Sequence, residues 1–422
     1  MKFALACWGS RGDVEPPAAV GRELRRRGHD VCIAVPPFLV GLAEAAGLSA
    51  VAWGSDLMAL IQAQHRFRNC LFGSPWRIQE LIRLRREISE LNAQCQEEMT
   101  RTLTPLADGA DLLITVHNFE GLAANVAEYH DIPLAALHLF LVRANGQFLP
   151  FLPAPLGNSA MTVYRWLSWR MSKKVDDAQR RQLGLAEATG PWSRRIIDRG
   201  SLEIQAYDEV LFPGLAAEWA KFDGHRPFVG TLTLGLAGDA DDEVASWIAA
   251  GTPPIFFGFG SFCVESPADT LTMIDAACAQ LGERALVCAD ENDFSSVPHG
   301  EHVKVVGTMN HGAVFPACRA VVHRGSVGIT AAGLRAGVPT LILWKLAQQL
   351  VWGVQVKRLK MGTARRLSAT TEKSLIADLR TILAPQYVAR AREIATQMTR
   401  PAESVATAAD LVENFARLKH VG

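Results

Sequence analysis

The chain contains two series of strand-length apolar segments that alternate with helical patterns, and this alternation constrains the fold more than any other feature. In the first series, the apolar run Lys2–Trp8 ends in a glycine turn, and Pro16 suits the first turn of the helix that follows. Regular strand–helix alternation predicts a parallel sheet with helices on both faces. The other predicted strands of this series are Asp30–Val35, Ser49–Trp53, Asp111–Val116 and Ile132–Leu139.

The second series begins near Pro254. Between the two series, the segment 231–243 contains two glycines and four acidic residues, a composition typical of a linker. We therefore expect an α/β protein with two doubly wound domains, residues 1–230 and 244–402, that face a cleft, followed by a helical C-terminal stretch up to about Leu418. The predicted strands of the second domain are Pro254–Gly260, Ala285–Ala289, His302–Val306, Ala320–His323 and Pro339–Leu343.

Two stretches interrupt the first series: a helical pattern at about 75–103 and an irregular region at roughly 144–200. Insertions at the carboxyl ends of parallel strands commonly carry substrate contacts. Within the second stretch, Tyr164–Lys174 combines aromatic and basic residues, including Trp166 and Trp169. This segment either lies on an anionic membrane or walls a lipophilic cleft, or it is a helix with aromatics in the core and cations in water.

The charge balance and the cysteines exclude several classes of protein. The 43 Lys and Arg residues equal the 43 Asp and Glu residues, so we expect no nucleic-acid partner. The eight cysteines form no CxxC pair, which favours buried thiols in a reducing compartment. The N-terminal apolar run is too short for a signal peptide, and no run is long enough to span a bilayer. We expect a cytoplasmic protein, with peripheral membrane contact left open.

The first glycine turn, Gly9 to Asp13, joins a strand to a helix N-terminus, where backbone N–H groups favour anions. The turn lacks the GxGxxG spacing, so it is weak evidence for a nicotinamide dinucleotide. Asp13 is either a general base in the cleft or a helix-capping aspartate, and the pattern alone favours the cap.

The turn His323–Thr330 is the best diphosphate site in the sequence. It follows a predicted strand and opens a helix, its small residues allow close backbone approach, and His323 and Arg324 add donors and positive charge. The alternative is a tight turn with a surface arginine. The turn Gly258–Ser261 has the same strand-to-turn setting.

No metal site is expected. The pattern Asp239-Ala240-Asp241 has the DxD spacing of a metal–sugar-nucleotide motif, but it lies in the linker before a helix, where acidic residues favour the N-terminus. HExxH and Walker A patterns are absent, and the histidines show no ligand spacing.

Four motifs together resemble family 1 glycosyltransferases of the GT-B fold. They are GSRGDVEP near the start, GFGS at Gly258–Ser261, Asn310-His311, and the HRGSVGIT block with the AAGLRAGVPTLIL that follows. The nearest likeness is to the actinobacterial glycopeptidolipid and glycopeptide-antibiotic group, with sterol glucosyltransferases more distant. The resemblance implies that the first domain binds the acceptor, the second binds a nucleotide-sugar, and a final helix, 403–422, packs back on the first domain.

The resemblance also assigns roles to residues. Asp13 falls at the position of the catalytic base, Met309 and Asn310 near the nucleobase, and Gln348-Gln349 at the pair that holds sugar hydroxyls. The remaining expected donor contacts are Ser10, Arg11, Gly12, Ser261, His323, Arg324, Gly325, Ser326 and Gly328, and those to the acceptor are His117, Trp166 and Trp169.

These motifs depart from the family at several positions. Relatives usually show HHGGAGTT, whereas this chain has HRGSVGIT, and Gln348 replaces the usual carboxylate. The resemblance implies an inverting, metal-independent enzyme without a cofactor, which moves a hexose or 6-deoxyhexose from a UDP- or dTDP-sugar to a lipophilic acceptor. That acceptor is a glycopeptidolipid, glycolipid, sterol or natural-product aglycone. The alternative is a nucleotide-binding protein that has lost turnover.

Overall fold

The computed structural model describes residues 1–54, 59–60, 62–63, 66–67, 70, 77–149, 152–222, 224–238, 240–260, 264, 266–289, 292–294 and 297–420. Strands in this part of the chain form two six-stranded sheets in which all named strand pairs are parallel. The first sheet contains β1 (Lys2–Ala6), β2 (Asp30–Val35), β3 (Ser49–Ala52), β4 (Leu112–Val116), β5 (Leu134–His138) and β6 (Leu202–Gln205). The second contains β7 (Ile255–Gly258), β8 (Ala285–Cys288), β9 (Val303–Val306), β10 (Ala320–His323), β11 (Thr340–Trp344) and β12 (Gly362–Arg366).

Helices cover both sheets. Those of the first half are α1 (Arg11–Arg26), α2 (Val40–Ala45), α3 (Ile78–Ala107), α4 (Glu120–Tyr129), α5 (Ala154–Gln182), α6 (Trp192–Asp198) and α7 (Leu215–Trp219). Those of the second half are α8 (Asp241–Ala249), α9 (Pro267–Leu281), α10 (His311–Val314), α11 (Val327–Arg335), α12 (Ala347–Arg358), α13 (Glu372–Ile382), α14 (Pro385–Ala395) and α15 (Pro401–His420).

Both sheets have the same strand order. The first runs β3-β2-β1-β4-β5-β6, and the second repeats this order as β9-β8-β7-β10-β11-β12. The order reverses between β1 and β4 in the first sheet and between β7 and β10 in the second. In doubly wound sheets, ligands bind at the carboxyl ends of the strands at such a reversal. The predicted fold of two doubly wound α/β domains is confirmed.

The sequence did not predict two of the strands. β6 is short and half polar, and its Glu203 is buried because Arg143 and Arg226 pair with that carboxylate. β12 lies at the edge of its sheet, where a strand that ends in Arg365 and Arg366 reaches water. Neither strand therefore shows the continuous apolar run by which the central strands were recognised.

Two other expectations about helices were wrong, whereas the C-terminal stretch is helical as expected. α1 begins at Arg11, so Pro16 lies in its second turn, because Ser10 and Asp13 cap the helix earlier. The region 144–200, expected to be irregular, is largely helical in α5 and α6. The C-terminal stretch is three helices, since Pro385 and Pro401 each occupy a first position, where the missing N–H is tolerated.

The linker and the last helix connect the two halves. Arg335, in the last turn of α11, donates to the carbonyl oxygens of Thr231 and Thr399. Asp208 of the first half accepts from the Thr399 amide at 2.7 Å. α15 then packs against α1, where Arg27 contacts both Asp410 and Glu413. The final helix therefore crosses back to the first half, as expected.

None of the helices in the described ranges combines the length and the apolar character that a membrane span requires.

Candidate active site

The reversal point of the first sheet brings Asp13 and His117 together. Asp13 lies in the first turn of α1, directly after β1, and His117 follows the neighbouring strand β4. The Asp13 Oδ1 and His117 Nε2 atoms are 3.9 Å apart, and both side chains are partly exposed. The base predicted from the resemblance thus has an imidazole beside it.

The two oxygens of Asp13 have different surroundings. Oδ2 accepts from the Ser10 backbone N at 2.8 Å and from the Ser10 hydroxyl at 2.9 Å. A Cβ on Gly9 would lie 2.6 Å from the Asp13 Cγ, so the turn requires glycine at that position, where φ is +147°. The capping interpretation of Asp13 is therefore correct, while Oδ1 remains on the His117 side. Its catalytic role stays a prediction.

His117 is held largely in the protein interior. Its ring packs edge-on against Phe140, with centroids 4.8 Å apart. Burial lowers the pKa of His117, against the opposing effect of the Asp13 carboxylate, so the ring is neutral near pH 7. A neutral ring has one N–H, and the nearby carboxylate favours placing it on Nε2.

Below this pair lies a buried network of charges. Glu120 and Glu203 both contact Arg143, and His138 Nε2 lies 3.2 Å from Glu120. Burial opposes ionisation of Glu120, but Arg143 and His138 lower its pKa to about 2. The acidic and imidazole groups have the spacing of metal ligands. Arg143 already neutralises these carboxylates, however, so the donor set is that of an ion-pair network rather than a cation site.

In the second half, His323 ends β10 at the other reversal point. Its Nδ1 accepts from the Gly325 backbone N at 3.0 Å, so the neutral ring has its proton on Nε2. The Nε2 atom is buried and has no hydrogen-bond partner among the described residues. Burial, with a smaller contribution from His311, lowers the pKa of His323 to about 3. His323 is therefore a neutral donor.

The loop after His323 opens α11. Arg324 is only 5% exposed, so the surface-arginine interpretation is wrong for this residue. Ser326 and Gly328, in contrast, are exposed at the N-terminus of this nine-residue helix. Backbone N–H groups of a first helical turn have no intrahelical partner and favour anions. The expected diphosphate contacts therefore surround one helix N-terminus.

The expected sugar-binding pair lies next to this loop. A Cβ on Gly325 would lie 3.1 Å from the Gln349 carbonyl oxygen, which shows how closely the loop packs on α12. Gln349 Oε1 accepts from the amides of Lys345 and Leu346, at 2.8 and 2.9 Å. Gln348 is exposed in the same turn. Gln349 is therefore part of the helix cap, and Gln348 has the freer side chain.

The expected nucleobase segment is anchored by α8. The Asn310 amide donates to Asp241 Oδ1 at 2.8 Å, and the Gly238 amide donates to Oδ2 of the same residue at 2.8 Å. Asp241 thus acts at a helix N-terminus, as the non-metal interpretation of the DxD pattern predicted, whereas Asp239 lies outside the described residues. Met309 is buried, and the Asn310 side chain caps α10 by accepting from the Gly312 amide at 3.0 Å.

His311 directly follows the expected nucleobase segment, and the sequence analysis assigned it no role. Burial, with smaller contributions from Arg11 and Asp241 that oppose each other, lowers its pKa to about 4. Arg11 begins α1 of the first half, so the field of a first-half residue acts on His311 in the second half. The sequence signal that could have pointed to His311 is its position shortly after the carboxyl end of β9.

Other expected residues lie elsewhere or are not described. Trp169 is buried, and Trp166 is about half exposed on α5. The core-facing interpretation of the aromatic segment is thus right for Trp169 and wrong for Trp166 and Tyr164. Ser261 lies outside the described residues. Gly12 is exposed, and Arg11 forms an ion pair with Glu15 at 3.3 Å.

Known proteins with similar sequences or structures carry glycosyltransferase names. The C-terminal domain model of erythromycin biosynthesis protein CIII-like matches residues 271–414. The uncharacterized glycosyltransferase Rv1524 of Mycobacterium tuberculosis is 58% identical over 99% of both chains. The sterol 3-beta-glucosyltransferase UGT80B1 of Arabidopsis thaliana is 27% identical over 97% of this chain and 67% of its own.

Solved glycosyltransferases share the fold over nearly the whole chain. The glycosyltransferase VinC, in complex with dTDP, matches with a TM-score of 0.63 and 17% identity, covering 98% of this chain and 99% of its own. The likeness spans both six-stranded sheets of this chain and shows that the overall fold is shared.

Proposed function

The chain belongs to the GT-B glycosyltransferases, and on that premise we propose that it transfers a hexose or 6-deoxyhexose to a hydroxyl of a lipophilic acceptor. The donor is a UDP- or dTDP-sugar, the anomeric configuration inverts, and no metal takes part. The observation that supports this proposal best is the pair Asp13 and His117 at one sheet reversal, with the His323–Gly328 helix N-terminus at the other.

Asp13 is the general base. The 3.9 Å gap between its Oδ1 and His117 Nε2 is too long for a hydrogen bond, but a hydroxyl oxygen about 2.8 Å from each atom fits between them. Asp13 takes the proton, while the His117 N–H orients the oxygen. That oxygen forms a bond to the anomeric carbon as the bond to the phosphate oxygen opposite breaks.

The leaving nucleoside diphosphate gains negative charge, which the second domain stabilises. The unpartnered Nε2–H of His323 and the first-turn amides of α11 supply donors, and the helix dipole adds a favourable field. These groups carry the role that a divalent cation has in other sugar transferases. Chelator treatment is therefore expected to leave transfer unchanged.

The donor is a dTDP-linked 6-deoxyhexose, with UDP-glucose as the second choice. Gln348 is neutral and exposed in the first turn of α12, and a neutral amide suits a sugar with fewer hydroxyls to bind. The dTDP bound by VinC supports this nucleotide. The sterol glucosyltransferase name supports a lipophilic acceptor. Such an acceptor partitions into bilayers, so the proposal includes a cytoplasmic protein in peripheral membrane contact.

A binding protein without turnover is the second candidate. Gln349 uses its side-chain oxygen for the helix cap, and Gln348 has no charge with which to hold sugar hydroxyls. Both features weaken donor binding relative to a free carboxylate.

Donor turnover separates the two candidates. The protein is incubated with UDP- and dTDP-sugars and a panel of lipophilic acceptors, with and without chelator, and nucleoside diphosphate release and product anomeric configuration are measured. Asp13-dependent release with an inverted product supports the enzyme. Nucleotide binding without release for every donor and acceptor supports the binding protein, and a retained configuration contradicts the proposed mechanism.

A further inference from the structure

We propose that one face of α5 docks the protein on an anionic lipid surface. The docking face consists of Leu156, Val163, Tyr164, Leu167 and Met171, which are all exposed. The proposal rests on the proposed function only for the lipophilic character of the acceptor, because binding to a bilayer needs no turnover.

These five side chains form one continuous stripe. At 100° per residue they cover about 100° of the helix circumference, the width of an apolar face that a soluble helix normally buries. Tyr164 is 71% exposed and Met171 is 82% exposed. On the opposite side, Met161 and Trp169 are buried, so the helix is already anchored, and the stripe is the face that the described part of the chain leaves exposed.

Side-chain contacts in the second half of α5 hold the helix against α4. Gln179 accepts from Asn125 at 2.8 Å, and Arg180 forms an ion pair with Glu128 at 2.8 Å. α5 also packs against α3. On α3, Ile78 and Ile82 are exposed as well, which adds apolar side chains on a neighbouring helix.

The charges within the segment that carries the docking face have a single sign, whereas Glu80 and Glu87 of α3 are paired with Arg83 and Arg66. From residue 132 to residue 175 the sequence has five basic residues and no acidic one. Arg170 and Lys174 are exposed and fall on the same side of α5 as the stripe. The next acidic residues, Asp176 and Asp177, contact Arg195 and Lys173. An apolar stripe flanked by cations complements anionic headgroups, whereas two copies would repel each other.

The position of the helix suits delivery of a membrane-borne acceptor. β5 ends at the carboxyl edge of the first sheet, where His117 also lies, and α5 begins 16 residues later in the chain. With 29 residues, α5 is about 43 Å long, more than twice the length of the five-residue strands. The helix is therefore much longer than the strands of the sheet.

Vesicle flotation tests the docking face directly. Wild-type protein is expected to bind vesicles of phosphatidylglycerol and phosphatidylcholine more tightly than pure phosphatidylcholine. The double variant Leu167→Glu, Met171→Glu is expected to bind at least tenfold more weakly. The matched control is Leu418→Glu, which changes an exposed leucine on α15 and is expected to bind like wild type. Arg170→Gln with Lys174→Gln is expected to lose about fivefold for each cation.

Three results would overturn the proposal. The first is that wild type shows no preference for anionic vesicles, and the second is that the double variant and the control bind vesicles equally well. The third is that wild type has no vesicle affinity but forms a dimer in light scattering, and that the double variant abolishes this dimer. Folding of each variant is checked by dTDP-induced thermal shift. Turnover of a short-chain soluble acceptor is measured in parallel. The double variant is expected to retain it and Asp13→Asn to lose it while still binding vesicles, so failure of docking and failure of the proposed function are distinguishable.

Discussion

Replacing Asp13 with Asn removes the proposed base while keeping the shape of the residue. The amide oxygen of Asn can still accept the two hydrogen bonds that Oδ2 receives from Ser10. The amide nitrogen would face His117 Nε2 across a gap of 3.9 Å, too long for a new hydrogen bond. The helix cap and the turn at Gly9 are therefore expected to survive.

The substitution is expected to lower the stability and the reaction rate by very different amounts. A carboxylate at a helix N-terminus contributes about 0.3–1 kcal/mol to stability through the helix dipole, so the free energy of unfolding should fall by about 1 kcal/mol. Loss of a general base slows the chemical step by roughly 10² to 10⁴, which corresponds to about 3–5 kcal/mol in the barrier. The rate is thus expected to respond far more than the stability.

The assay measures turnover, dTDP binding and urea unfolding on wild type, Asp13→Asn and Ser10→Ala. Ser10→Ala is the matched control, because it removes one of the bonds to Asp13 and leaves the carboxylate in place. Asp13→Asn should bind dTDP within about threefold of wild type and lose transfer, whereas Ser10→Ala, which removes one hydrogen bond at an expected donor contact, should lose no more than about tenfold in transfer. Transfer by Asp13→Asn within about threefold of wild type would show that Asp13 is only a cap, and the mechanism would be wrong.

Three further predictions concern the second domain. His323→Ala should weaken binding of dTDP more than binding of thymidine, since Nε2 carries the ring's only proton, has no partner among the described residues and is available to the expected diphosphate. Equal weakening in titration calorimetry would place this histidine elsewhere. Gln348→Asp should shift the ratio of turnover efficiencies toward UDP-glucose over a dTDP-deoxyhexose by about five- to thirtyfold, because a carboxylate accepts from two sugar hydroxyls. An unchanged ratio would contradict the donor assignment. Because burial holds the pKa of His311 at about 4 and that of His323 at about 3 in the folded state, only the unfolded chain takes up these protons as the pH falls below about 6.5. The free energy of unfolding should then decrease by up to about 1.4 kcal/mol per pH unit for each histidine. Urea unfolding is measured at about pH 7 and about pH 5.5, and equal free energies of unfolding at the two pH values would contradict this prediction.

Sequence patterns were sufficient for the fold and for most of the expected site. Central parallel strands are buried on both faces, so runs such as Lys2–Ala6 and Ala320–His323 are continuously apolar and are recognisable in isolation. Chain order then requires the residues after each strand to gather at one edge. Asp13 and His323 were identifiable for this reason.

Elements whose burial depends on partners could not be recognised. β6 contains a carboxylate that belongs in a core only because Arg143 and Arg226, distant in sequence, reach it. The same reasoning applies to the early start of α1, which depends on the side-chain bonds between Ser10 and Asp13. Such contacts leave no local periodicity.

The sequence by itself therefore determined the strand–helix alternation, the two-domain fold and the residues at the strand ends, because these follow from local apolar patterns and chain order. Only the tertiary structure decided that Asp13 Oδ2 is held by Ser10 while Oδ1 faces His117, and that the apolar stripe of α5 is exposed among the described residues. Each of these depends on which groups from distant segments come within a few ångströms of one another. Distances of that kind are set by the packing of whole elements and not by the order of residues within them.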